Sequence, residues 1–393
     1  MRWGSRPREL RPVGRRALHP ILPMPTKSKR EIDWPAVAAA FAARISHGAL
    51  HPAAMHEAFA DFQRGRRTGA RRPSRWAVAF SGGADSLALL LIFWAEGPGR
   101  WGRDFVVLHF NHGLRGRASD ADEKFCAEVC AALGVKLVTG RWREARKDAS
   151  EAEARAARHA FFSREMGRRK IRLLWLAHQQ DDIAETMLMR LAPGSGTGGL
   201  AAPRPVQPQA DGRVHLRPLL TLKKAAIVAA LRKAGAVWRE DESNAGADHF
   251  RNRLRAAVLP AWVRAAQRDA LAGAALSRER LEEDDVALES WLDELRPLTK
   301  AGRLDLRRLA GQPRALVRRA LHRWLLAQLA AVDLSRQGFE VLLAAVERAQ
   351  PTRFSLGKDA FAVIRGHWLR REQRLASARR RGKSGNLSTR PRI

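Results

Sequence analysis

A doubly wound parallel α/β sheet, followed by a smaller, mainly helical section, is the fold class that this 393-residue sequence predicts. Three observations predict it. Short apolar runs recur at 76–80, 105–110, 135–139 and 173–177, and each reads as a strand buried on both faces. Amphipathic stretches at 86–95, 119–133, 150–169, 182–191 and 222–234 alternate with or follow these runs, the pattern of βαβ units. Beyond a linker near residue 264 the short apolar runs give way to one-faced helical patterns.

Composition bounds the class. Hydrophobic content of 45% and charge of 28% are globular values. No apolar run approaches the ~18–20 residues of a membrane span, so a soluble, cytoplasmic protein without membrane contact is expected. Cys126 and Cys130, the two cysteines, lie in a helical pattern, which excludes a disulfide scaffold and points to a reducing compartment. Net charge is +32, of which residues 1–30 supply +8 and residues 377–393 supply +6, leaving +18 on the remainder. Such an excess favours a polyanionic partner through counterion release; a solvated, arginine-rich surface is the alternative.

Residues 1–30 are rich in Pro and Arg without periodicity and read as disordered. They lack the apolar core of a secretory signal; an arginine-rich, acid-poor start is also a feature of organellar transit peptides, and Met24 is an alternative start. Residues 32–62 read as helical, with Trp34, Val37, Phe41, Ile45 and Phe59 apolar, and lead into the basic linker Arg64–Arg67. Residues 192–215, dense in Gly and Pro, read as a mobile loop. Thr221 and Gly235 are placed to cap the following helix as N-cap and C′ residue. Further on, Leu316, Val317, Ala320, Leu321, Trp324 and Leu325 share one face, and Arg314, Arg318, Arg319 and Arg323 mostly take the other, as solvated surface or as an RNA-facing stripe. Residues 353–371 alternate around Gly357-Lys358-Asp359, the pattern of a hairpin.

Four motifs carry chemistry. In the first, the strand at 76–80 breaks into Ser81-Gly82-Gly83-Ala84-Asp85-Ser86 and continues as an apolar helix. Glycines at a strand-to-helix turn let backbone N–H groups approach a phosphate, and the helix dipole favours negative charge there. No Lys follows, so this is not a Walker A loop; Asp85 instead suits a carboxylate that holds Mg²⁺ against phosphates. In the second, His109, Asn111, His112 and Arg115 gather at the end of a strand, suited to nucleotide recognition, with no third ligand for a metal. The third, His178-Gln179-Gln180-Asp181-Asp182 with Glu185, puts three acids on a first helical turn. Their repulsion calls for a cation, either Mg²⁺ or a substrate ammonium. The fourth sets acids at 240–242 before Arg251, Arg253 and Arg255, either a salt-bridge patch or reach for phosphates.

Ser81–Ser86 resembles the pyrophosphate loop of the PP-loop ATPases, which cleave ATP between its α and β phosphates, so the expected sheet is of the adenine nucleotide alpha hydrolase-like kind. The ordered set Ser81–Ser86, His109–Arg115, Ser119-Asp120, Asp122-Glu123, His178–Thr186, Gly194-Ser195-Gly196, Arg217–Leu220, Trp238–Asn244 and Arg251–Arg253 resembles the tRNA(Ile)-lysidine synthase family over about 76–260. The resemblance implies ATP, Mg²⁺, L-lysine and tRNA(Ile) with anticodon CAU as ligands. ATP adenylates the C2 oxygen of the wobble cytidine, and the ε-amine of lysine then attacks C2 and expels AMP, changing the codon read from AUG to AUA. It places ATP on Ser81, Gly82, Gly83, Ala84, Asp85, Ser86, His109, Asn111 and Arg115, and lysine on Asp181, Glu185 and His178. Catalysis falls to Asp85, Asp181, Asp182, Glu185 and Arg251, with Asp85 on Mg²⁺. The implied organisation is a basic extension at 1–30, a helical segment and linker at 31–74, a PP-loop catalytic domain at 75–263, a mainly helical, tRNA-contacting domain at 264–376, and a basic tail at 377–393.

Two positions depart from the family pattern: Gln179 stands where a second His is frequent, and Pro193 where an Arg is usual. A thiolase-type PP-loop tRNA enzyme is one alternative, disfavoured by mid-helix cysteines. A catalytically degenerate RNA-binding protein is the other, disfavoured by the intact serines and acids.

Overall fold

A computed structural model describes residues 32–45, 47–67, 76–100, 105–146, 149–240, 250–328, 334–357 and 359–373. The basic extension at 1–30, the tail at 377–393 and Asp241–Asn244 of the fourth motif lie outside the described residues.

Two helices, α1 (Trp34–Ala42) and α2 (Pro52–Arg67), lead into strand β1 (Trp76–Ala79), helix α3 (Ala84–Arg100) and strand β2 (Phe105–Asn111). Then follow α4 (Arg117–Ala132), β3 (Lys136–Arg141), α5 (Glu151–Arg169), β4 (Leu173–Trp175) and α6 (Gln180–Leu191). The sheet has the order β3-β2-β1-β4-β6-β5, completed by β5 (Val206–Pro208) and β6 (Val214–Leu216), and only β5 runs antiparallel to its neighbour. Trp76 sits opposite Phe105 on one side and Leu173 on the other.

Alternation along the strands explains the two-sided packing. Trp76, Val78, Phe105, Val107 and Trp175 face a core shared with α1, α3 and α4, where Trp175 packs 4.3 Å from Phe93 and 5.5 Å from Trp76. Ala77, Val106, Leu108, Leu174 and Leu176 face the other way, onto Phe161, Phe162 and Met166 of α5. Helices on both faces make the sheet doubly wound, as its sequence pattern requires. The crevice where such sheets take ligands lies between β1 and β4, whose following helices are α3 and α6.

The stretch 192–215 is not a bare loop. It holds the short helix α7 (Thr197–Leu200), β5 and β6, and β6 is fully buried beside β4. Three-residue strands flanked by Pro and Gly carry too little periodicity to be read. Thr221 does not cap α8 (Lys224–Lys233). Lys223 holds the N-cap position without a side-chain bond, and Asp181 accepts the Lys224 N–H instead, at 3.0 Å. Gly235 follows the C-cap at φ +77°, as a C′ residue must.

Beyond α9 (Phe250–Arg253) the helix widens into a π-turn at Leu254–Val258 before α10 (Leu259–Ala265). Pro260 has no N–H to return to Ala256, which removes the bond that would keep this turn α-helical. The 26-residue α11 (Ala270–Leu295) is capped by Asp269. Its first turns pack Ala274, with Leu271 and Ala275, toward Ile183 and Ala184 of α6, and its last buries Leu292 in a separate core. That second core combines α12 (Arg314–Ala327) and α13 (Arg336–Glu347) with an antiparallel sheet ordered β7-β10-β9-β8. The hairpin expected at 353–371 is β8 (Thr352–Gly357) and β9 (Ala360–Arg365); β10 (Trp368–Gln373) and β7 (Leu304–Asp305) extend it. Three of the four arginines singled out on α12 form ion pairs within the protein, Arg314 with Glu340 and Glu347, Arg319 with Asp285 and Glu289, and Arg323 with Glu289 and Asp293. They bind helices together and do not form a free stripe. Among the described residues no helix is long and apolar enough to cross a membrane.

Candidate functional site

The first motif forms the turn between β1 and α3. Ser86 Oγ donates to the Gly83 carbonyl at 3.0 Å and accepts the Ser81 N–H at 3.2 Å, and the two serine hydroxyls lie 3.0 Å apart. The Gly83 N–H leans on Ser81 Oγ at 3.5 Å, so the serines pin the turn from inside and leave the Gly82 and Ala84 amides for an anion. Gly82 has φ +91°, a backbone that strains any side chain, and a Cβ there would also press on Cys126 Sγ at 3.3 Å and Arg239 Cγ at 3.4 Å. The Arg239 N–H donates to the Gly82 carbonyl at 2.9 Å, which lays that arginine against the phosphate loop.

Asp85 stands in the first turn of α3, and its Oδ1 is buried without a hydrogen-bond partner. Burial pushes its carboxyl up to about 6; Lys224 and Arg255 pull it down, and Asp182 and Asp181 push it up further. A hard oxygen donor left unsatisfied beside a phosphate cradle fits Mg²⁺, which relies on one or two carboxylates plus substrate phosphates. No cluster of three or more His, Cys, Asp or Glu is arranged as an all-protein metal cage among the described residues.

The second motif forms the wall of this crevice. His109 is buried, with Nδ1 2.9 Å from the Phe80 carbonyl, and burial lowers its pKa, so the ring is neutral. The Asn111 amide nitrogen donates to Ser119, Asp120 and Glu123, and its oxygen accepts the Gly113 N–H at 2.8 Å. Both N–H groups and one lone pair of that side chain are spent shaping the β2–α4 turn. Arg115 pairs with Asp122 at 2.6 Å, and Arg239 reaches the other oxygen of Asp122 at 2.7 Å. Asp122 thus holds two guanidinium groups beside the loop.

On α6 the acids have separate tasks. Gln179 is the N-cap: its oxygen accepts the Asp181 N–H at 2.6 Å, and Asp182 returns the favour to the Gln179 N–H at 2.9 Å. That capping box accounts for Gln at this position. Asp182 also accepts from Arg251, and Glu185 accepts from Arg251 at 2.8 Å and from Arg255 at 2.6 Å. Burial opposes ionisation of Glu185, but the Arg255 and Arg251 bonds outweigh it and hold the carboxyl below its usual range. The cation that the acids need is therefore supplied by the chain itself, as two guanidinium groups. Asp181 engages only Oδ2, with the Lys224 N–H, and is half-buried.

His178, placed on lysine by resemblance, is a poor seat for an ammonium. Arg217 Nε donates to its Nδ1 at 3.1 Å, and burial, Arg217, Arg155, Arg251 and Arg158 hold its pKa well below the usual value. Around it lies a group that motif reading missed. Arg155 and Arg158 of α5 make no hydrogen bond or ion pair among the described residues. Desolvation and then Arg251 lower Arg155, although its side chain reaches solvent, and burial, Arg155 and Arg251 lower Arg158, to about 10. His159 and His215 stack 5.6 Å apart beside them, each at about 4, chiefly through burial. Unpaired cations packed at the edge of a phosphate site suit an anion. The signal was present in the sequence only as a basic turn repeating on one helix face, Arg155 and Arg158 being three apart.

A phosphate-binding turn at the topological switch of a doubly wound sheet, with an unsatisfied carboxylate beside it, defines a nucleotide-binding protein of the PP-loop class. The family model of the PP-loop domain, an ATP-binding domain, matches residues 54–262, and the chain belongs to that family. Among curated proteins it is 38% identical over 292 residues to a tRNA(Ile)-lysidine synthase of Xanthomonas campestris, covering 72% of this chain and 64% of that one. It is 38% identical over 282 residues to the tRNA(Ile)-lysidine synthase of Geobacter sulfurreducens, covering 69% and 58%. With the enzyme of that name from Aromatoleum aromaticum it shares 45% over 190 residues, covering 47% and 43%. The chain thus spans between 43% and 64% of the length of these relatives.

Proposed function

We propose that this protein ligates L-lysine to the wobble cytidine of tRNA(Ile) with anticodon CAU, at the expense of ATP, which leaves as AMP and pyrophosphate. The observation that carries the reading is the position of Asp85, a buried carboxylate with an unpartnered oxygen at the mouth of the phosphate turn, one helix away from Asp181. The name shared by the curated relatives supplies the substrate class.

In this reading the amides of Gly82 and Ala84 and the α3 N-terminus hold the departing pyrophosphate. Mg²⁺, held by Asp85 with Asp181 nearby, supplies charge neutralisation on the phosphates. Arg239 and Arg115, oriented by Asp122, flank the turn. The C2 oxygen of cytidine attacks the α-phosphorus, which breaks the α–β bond and makes a good leaving group of a poor one. The neutral ε-amine of lysine then forms the C2–N bond, and AMP carries the oxygen away. Asp181, the α6 acid not spent on arginine, is the seat for the substrate ammonium. Asp182 and Glu185 serve by fixing Arg251 and Arg255. Arg155, Arg158 and Arg217 face the anionic side, where AMP or the tRNA backbone passes. A thiolase reading lacks support: Cys126 and Cys130 are buried, and burial pushes the Cys130 thiol up to about 12.

The test incubates the purified protein with ATP, Mg²⁺, radiolabelled lysine and an isoleucine tRNA transcript bearing CAU, beside a transcript with another wobble base. Stable label that requires both CAU and ATP supports the reading. Tight tRNA binding without incorporation overturns it.

A further inference from the structure

Asp285 lies midway along α11 and is 5% exposed, yet its carboxylate is shared by three separate segments. Thr197 Oγ donates to it at 3.2 Å from α7, Arg204 pairs with it from the approach to β5, and Arg319 pairs with it at 2.6 Å from α12 in the second core. Arg319 also bonds to Thr197 directly and to Glu289 at 2.8 Å. The fit is close: a Cβ on Gly198 would lie 2.9 Å from Asp285 Oδ1. From Arg204 the path continues into the site. Its carbonyl accepts from Arg217 at 2.8 Å, and Arg217 donates to His178. An unbroken chain of polar contacts therefore runs Arg319–Asp285–Arg204–Arg217–His178, from the second core to the α6 end of the crevice.

We propose that Asp285 is a positioning residue: it makes the seating of the 194–200 loop, and with it the placement of Arg217 and His178, depend on docking of the α12 core. Removing Thr197 Oγ or Arg319 strips one of three partners from the buried Asp285 carboxylate, so loss of the latch is felt at both ends. The loop carries the Gly194-Ser195-Gly196 motif, beside which lies the Arg336 guanidinium of α13, 3.4 Å from a Cβ placed on Gly194.

Three variants of the full chain test it, Thr197→Val, Arg319→Ala and their combination. Thr197→Val is isosteric and sits on the loop, which keeps the test readable if Arg319→Ala fails to fold. Amide exchange across 197–200 is expected to quicken at least tenfold in each single variant, and the pair to exceed the larger single by less than twofold. With selectively labelled histidine, the His178 titration is expected to rise toward its ordinary range as Arg217 is released. In lysine ligation, which rests on the proposed function, kcat is expected to fall at least fivefold with KM for ATP within twofold. Exchange within twofold of the parent, additive singles or an unmoved His178 titration overturns the latch. Absence of ligation in the parent protein overturns only the proposed function, since exchange and titration are read without it.

Discussion

Replacing Asp85 by Asn should stabilise the ligand-free protein while destroying its activity. Burial displaces this carboxyl from 3.8 to about 6, which amounts to about 3 kcal/mol against the ionised form in the folded state. Because the folded value lies above the unfolded one, the folded protein holds an extra proton between about pH 4 and pH 6. Its stability from this group declines through that window and stays low above it. Asn removes the charge at the same volume. At pH 7.5 the variant should gain up to about 3 kcal/mol, or roughly 5 °C in Tm, and at pH 4.5 only about a third of that. Thermal melts at both pH values, with and without Mg²⁺ and ATP, measure the effect. Ligand should raise the parent Tm and leave the variant nearly unmoved, because the Asp85 carboxylate is the charge with which the cation pairs. Equal Tm changes at the two pH values, or a destabilised variant, would refute the claim that Asp85 is an uncompensated carboxylate.

Other consequences follow from the same geometry. Asp85→Ala should abolish AMP formation while tRNA affinity in a filter-binding assay stays within about twofold. Asp181→Asn should raise KM for lysine at least tenfold with KM for ATP little changed, and unchanged lysine dependence would remove Asp181 from the substrate seat. Arg255→Ala leaves Glu185 with half its partners and should cost about 3 kcal/mol in denaturant unfolding. Arg158→Ala should leave stability unchanged or raised, since Arg158 is repelled by its neighbours; the salt slope of tRNA binding should fall by about 1 if it meets a phosphate.

Much of the sheet was legible because its central strands are buried on both faces and so appear as unbroken apolar runs, as at Phe105–Leu108, whereas the edge strand β3 is partly or fully exposed throughout. The edge pair β5 and β6 was not, because three residues between prolines and glycines leave no period to count. The site shows the same division. The turn at Ser81–Ser86 is local, so residue order alone reveals a phosphate cradle. Whether Asn111 touches a ligand or a neighbouring turn depends on Asp120 and Glu123 arriving from the next helix. The partners of Glu185 lie 66 and 70 residues further along the chain, a separation at which spacing says nothing about contact. The α6 acids read as calling for Mg²⁺ or a substrate ammonium, whereas Asp182 and Glu185 are met by Arg251 and Arg255.

The long helix α11 buries Ala274 at one end and Leu292 at the other, with Asp285 between them. At ~1.5 Å and ~100° per residue, those three positions are locked in phase as well as in distance. Deleting one residue between Ala274 and Asp285 would swing the carboxylate away from Thr197 even if both ends stayed helical. Adding a whole number of turns would restore its bearing but move it ~5.4 Å or more along the axis. Length and rotation cannot both be satisfied by any single insertion, so insertions and deletions should be tolerated in the loops around the helix and excluded from the stretch between Ala274 and Leu292. Sequence changes of that kind offer a way to vary the spacing of the two cores without touching a residue in the crevice.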